Sequence, residues 1–122
     1  MKSAKKFVLS ALFIAATAGQ ATAWAHATLQ SATPAKDAEV TVAPKEVVMH
    51  FNEDLEPAFI SAKVVDSTGA VVSTEKAALD AKDATVMKLA VPALSPGKYT
   101  VQYNAVGHDG HRRKGEYSFT VK

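Results

Sequence analysis

The chain of 122 residues reads as an all-β protein, an antiparallel Greek-key β-sandwich or barrel of about seven strands built as one domain. Two observations carry this reading. Between Pro44 and Val121 the apolar residues fall into short β-rich runs separated by Gly, Pro, Asp and Asn. No stretch there keeps the 3.6-residue period long enough to supply helices that would cover a parallel sheet. The absence of cysteine adds a constraint, because no disulfide framework can replace hydrophobic burial and one modest core must suffice.

The first residues stand apart from that pattern. Lys2, Lys5 and Lys6 precede the apolar run Phe7 to Ala18, and small residues follow, which is the layout of a secretory signal peptide. The run is shorter than the roughly 18–20 residues a transmembrane helix needs, and no second run of that length follows, so the mature protein is not expected to span a membrane. Two overlapping small-x-small sites are present: Ala21-Thr22-Ala23, which would leave Trp24 first, and Ala23-Trp24-Ala25, which would leave His26 first. The expected division is a cleaved signal over 1–25 and a domain over 26–122. Removing 1–25 takes three lysines and no carboxylate, so the formal charge of +2 becomes −1. A domain of that charge is no nucleic-acid binder.

Within the domain the elements follow in order. Glu46 to Asn52 places Val47, Met49 and Phe51 on one face, because strand side chains alternate with period two. Phe59 to Asp66 reads as the next strand, Ser67-Thr68-Gly69 as a turn, and Ala70 to Ser73 as the returning strand of a hairpin. Glu75 to Asp83 is rich in Ala, Lys and Asp and receives no assignment. Ala84 to Val91 is a further apolar run, and Pro92 to Gly97, with two prolines, is a loop. Lys98 to Val106 aligns Tyr99, Val101, Tyr103 and Ala105, and Lys114 to Val121 aligns Tyr117, Phe119 and Val121.

Without a thiol, reactive chemistry must come from His, carboxylates, hydroxyls or the backbone. There is no phosphate-cradling Gly-rich loop, no G-x-S-x-G and no H-E-x-x-H, so generic hydrolase readings lack support. Two of the four histidines flank an aspartate in Gly107-His108-Asp109-Gly110-His111. If that backbone is extended, Asp109 and His111 point one way and His108 the other, which offers an oxygen and an imidazole nitrogen to one point. A polar turn carrying histidines by chance is the competing reading. An N-terminal His26 would add its free amine and its imidazole Nδ1 as a chelate. Three nitrogens with one carboxylate oxygen suit a tetragonal Cu(II) ion, which heads the Irving–Williams order, although Zn(II) could use the same set tetrahedrally. Glu53, directly after the strand, could accept a hydrogen bond from a ligating imidazole or amine, with a solvated loop charge as the competing reading. His50 reads as an ordinary strand residue, and Met49 and Met87 read as core.

Taken together, His26 to Leu29, Ser31-Ala32-Thr33-Pro34-Ala35, His50-Phe51-Asn52-Glu53, Pro96 to Val101, Val106 to His111 and Gly115 to Val121 resemble the bacterial copper resistance protein C (CopC) family over nearly the whole mature chain. The resemblance implies a periplasmic, non-enzymatic, monomeric copper-binding protein with a cupredoxin-like, immunoglobulin-type β-barrel. It also implies a Cu(II) site of His26, Asp109 and His111, with Glu53 beside it and an inner-membrane copper permease (CopD-like) as receiving partner. The chain departs from members with a Met-rich Cu(I) loop, since Ala70 to Leu89 contains only Met87, and Thr28 stands where some relatives have a second histidine. It therefore resembles the single-site Cu(II) type.

Two other readings compete. A copper monooxygenase would also use an N-terminal histidine and a second histidine, but the Asp109 carboxylate disfavours the reduced ion that such chemistry needs. A metal-free β-sandwich interaction module is permitted by fold alone. The exported protein is expected to begin at His26 and, having lost Trp24, the only tryptophan, to show almost no indole absorbance. Intact mass and N-terminal sequencing check this; a chain beginning at Trp24 would remove the proposed chelate.

Overall fold

The computed structural model describes residues 27–122; the expected signal segment and His26 lie outside the described residues. Among the described residues there are eight strands: β1 (Leu29–Thr33), β2 (Glu39–Val40), β3 (Glu46–Phe51), β4 (Ser61–Val65), β5 (Ala78–Leu79), β6 (Val86–Ala90), β7 (Gly97–Val106) and β8 (Arg112–Val121). They form two four-stranded sheets, ordered β1-β3-β6-β5 and β2-β8-β7-β4, so the chain passes repeatedly from one sheet to the other. The expected all-β sandwich is the architecture observed.

The alternation that marked the strands also sets the core. Val47, Met49 and Phe51 of β3, Tyr99, Val101 and Ala105 of β7, and Tyr117, Phe119 and Val121 of β8 are all buried. Met49 stands opposite Met87 across the β3–β6 pairing, and both are fully enclosed, so the methionines pack as core. Tyr99 stacks on Phe119 with ring centroids 5.8 Å apart, and its hydroxyl donates to Ser95 O at 2.5 Å, tying the 92–97 loop to the barrel. Leu94 plugs the core from that loop.

Several expectations are corrected. The sandwich is not wholly antiparallel, because β2 pairs in parallel with β8. β1, β2 and β5 were not anticipated: β2 and β5 are two-residue strands, too short for any period to show, and β1 carries mostly small and polar residues with a register shift between Leu29 and Ser31. Phe59 ends a 3-10 turn (Pro57–Phe59) instead of starting a strand, since the turn takes a proline at its entry. The hairpin return at Ala70 to Ser73 shrinks to a single bridge, Val65 to Val71. Here the Asp66 carboxylate collects the amides of Thr68 at 2.9 Å and Ala70 at 3.1 Å, which holds those residues in a turn.

Three carboxylates act in this way, and each is more acidic than usual. The Thr68 hydroxyl holds the Asp66 pKa below its ordinary 3.8, the Lys88 ammonium does so for Asp80, and the Thr85 hydroxyl for Asp83. At the opposite end of the scale, burial raises Tyr103 and Tyr117 above their ordinary 10.0. The depressed carboxylates contribute stability above their unfolded pKa and lose it as pH falls through the folded values. The raised tyrosines contribute below 10.0 and lose it as pH climbs toward their folded values.

The metal-free protein is therefore expected to show a broad stability maximum from about pH 5 to about pH 9, falling on both sides in thermal melts. The Tyr117 hydroxyl is buried with no hydrogen-bond partner among the described residues. Tyr117→Phe should therefore flatten the alkaline limb while leaving stability at pH 7 unchanged or higher by about 1 kcal/mol.

Candidate metal centre

One end of the sandwich gathers the start of β1, the 52–56 segment after β3 and the β7–β8 loop. The β7–β8 ladder runs without interruption from Gly97 opposite Val121 to Val106 opposite Arg112. What lies beyond, 107–111, is a tight turn and not the extended stretch assumed from sequence. Gly110 adopts φ 76°, which favours glycine, and its amide donates to Gly107 O at 3.0 Å.

The turn nevertheless brings Asp109 and His111 together. Asp109 Oδ1 accepts the His111 amide at 3.0 Å, and Asp109 Oδ2 lies 3.2 Å from His111 Nδ1. Two donors bound side by side to one ion at about 2.0–2.1 Å would lie about 2.9–3.4 Å apart, so the pair already has the spacing of adjacent ligands. The histidine is largely exposed and the carboxylate mostly covered, at 62% and 23%. His108 faces the 52–56 segment, through the turn and not through strand alternation, with Nδ1 at 3.3 Å from Glu56 Oε1 and Nε2 at 3.5 Å from Asp54 Oδ2. His50 is exposed on β3.

Among the described residues no group of three or more His, Cys, Asp or Glu is arranged to hold a metal ion. Asp109 and His111 are thus an incomplete set, and the third expected ligand, His26, lies outside the described residues. The chain just after it is well defined. Ala27 is fully buried, the Thr28 amide donates to Asn52 Oδ1 at 2.7 Å, and the Asn52 amide donates to Thr28 O at 3.1 Å.

Glu53 links this anchor to the turn. Its Oε1 is buried with no hydrogen-bond partner among the described residues, and a Cβ at Gly107 would overlap that oxygen. Leu55 bridges to Gly107, and the Glu56 amide donates to Val106 O at 2.8 Å, so the 52–56 segment is stitched to the base of the turn. A buried carboxylate oxygen without a donor is costly, which makes it an acceptor for an amine or imidazole N–H brought alongside. Sequence reasoning named Glu53 as a candidate but singled out neither Asn52 nor Gly107. Their signal was present only as position: an amide directly after a strand, and a glycine directly before the histidine turn.

The CopC domain model matches residues 29–122. The chain is 39% identical over 102 residues to the protein YobA of Escherichia coli K12, covering 81% of each. It is 34% identical over 119 residues to copper resistance protein C of Pseudomonas syringae pv. tomato, covering 91% of this chain and 92% of that one. Among solved structures, CopC from Methylosinus trichosporium OB3b superposes with a TM-score of 0.75 at 36% identity, over 80% of this chain and 94% of that one.

The contact between Gly107 and Glu53 has a measurable consequence. Gly107→Ala should lower stability in chemical denaturation by about 1–3 kcal/mol through overpacking, and in a Glu53→Ala background most of that loss should disappear.

Proposed function

This chain belongs to the CopC family of copper-handling proteins, and from that premise we propose that it is a periplasmic Cu(II)-binding protein. In this reading signal-peptide cleavage frees the amine and imidazole of His26, which join Asp109 and His111 around one Cu(II) ion. The bound copper is sequestered or handed to an inner-membrane copper permease. No reaction is catalysed.

The observation that carries the reading is the 3.2 Å pairing of Asp109 Oδ2 with His111 Nδ1 at the same end of the sandwich as the Thr28 anchor. Covalent geometry supports it further: at about 3.3–3.6 Å per residue, the Cα of residue 26 stays within about 7 Å of that of Thr28. The buried Glu53 oxygen supplies an acceptor between anchor and turn. Preference for the oxidised ion follows from the donor types. A carboxylate and nitrogen ligands favour Cu(II), and the thioethers of Met49 and Met87, which would favour Cu(I), are shut inside the core. The same carboxylate argues against oxygen chemistry at the site.

His26→Ala, or one extra residue ahead of His26, should lower Cu(II) affinity by more than the roughly 10–100-fold typical of losing an outer hydrogen-bond partner. Cu(II) titration with electron paramagnetic resonance on the exported protein checks this, and tight binding that survives both changes would overturn the assignment. Transfer of copper to permease-containing membrane vesicles, compared with vesicles lacking it, tests the partner.

A further inference from the structure

We infer that Asn52 is the positioning residue that holds the N-terminal segment in register with the copper turn. This rests on the Cu(II) reading above and assigns the residue through which the end of the chain is aimed.

In the β1–β3 pairing Leu29 stands opposite Phe51, so Thr28 and Asn52 would form the next antiparallel pair. One half of that pair is made normally, by the Asn52 amide donating to Thr28 O at 3.1 Å. For the other half, the Thr28 amide donates to the Asn52 side-chain Oδ1, at 2.7 Å, in place of a backbone carbonyl. An asparagine side chain is itself an amide, so it can complete a ladder rung that its own main chain has abandoned.

That substitution lets two demands be met at once. The main chain bends away after Phe51, which carries Glu53 beneath Gly107 and lets Leu55 bridge to Gly107. Meanwhile Ala27 and Thr28, just ahead of β1, lie at the same end, with Ala27 fully buried and Thr28 tied to Asn52. With a backbone carbonyl as the only acceptor, the chain at 52 would have to stay straight to hold Thr28 and could not also turn Glu53 inward. An alanine at 52 would keep the turn and release the amide of Thr28. The residue does not touch the ion in this account; it fixes where the donors two residues upstream are delivered, and a misplaced chelate loses affinity through the entropy of reordering it.

The exported protein and its Asn52→Ala, Asn52→Asp, His26→Ala and His26→Ala/Asn52→Ala variants test this by Cu(II) titration against a competing chelator and by hydrogen exchange of the metal-free form. Asn52→Ala is expected to lower Cu(II) affinity about 10–100-fold and to remove the exchange protection of the Thr28 amide, and Asn52→Asp, which keeps the acceptor, to restore both. In the His26→Ala background the Asn52 change should have no further effect on affinity, because its action runs through residue 26. An undiminished affinity in Asn52→Ala, or an equal loss with and without His26, would overturn the positioning role while leaving the copper site standing. Full affinity in His26→Ala alone would instead overturn the site reading, and the positioning role with it. A general folding defect is separated from both by exchange at the core amides of β7 and β8, which should remain protected in every variant.

Discussion

The β7–β8 ladder is the constraint on which both the core and the candidate centre depend. Because side chains alternate along it, a register fixed by Tyr99 against Phe119 and Val101 against Tyr117 determines where the last pair, Val106 and Arg112, must fall. The turn that follows is therefore delivered to one end of the sandwich with no freedom to slide. A slip of one residue would expel Phe119 from the core and turn the loop's donors to another face. Burial of large apolar groups far from the turn is what holds Asp109 and His111 where they are.

A second packing decision refines that placement. Only a glycine at 107 leaves room for the Glu53 carboxylate, and a side-chain oxygen at 52 keeps Thr28 tied while the main chain bends toward Gly107. The oxygen enclosed there has no donor among the described residues, an unfavourable arrangement that a stable fold rarely keeps without a use. The His108 contacts to Asp54 and Glu56 add a lateral tie between turn and neighbouring segment, although all three groups are substantially exposed and such ties are weak in water.

What was legible in the sequence was what alternation encodes. β3 buries every second side chain, as do the stretches of β7 around Tyr99 and Val101 and of β8 from Tyr117 to Val121, and these core positions were readable from the alternation alone. β2 and β5 were not, because two residues carry no period, and β2 moreover takes its partner, β8, from the far end of the chain. At the candidate centre, Asp-x-His was legible because its donors are adjacent, although they meet through a turn rather than an extended segment. The Asn52–Thr28 rung spans 24 residues and depends on where β1 pairs, which composition does not reveal.

Redox exposure is where the Met49–Met87 pairing has its largest effect. A polypeptide that keeps company with a metal able to cycle between oxidation states risks sulfoxidation at every accessible sulfur. This sequence has no thiol at all, and the two thioethers of the sandwich face one another across β3 and β6 with none of their surface open to solvent. The molecule thus offers oxidants no sulfur at its surface among the described residues, a durability that comes from hydrophobic packing alone.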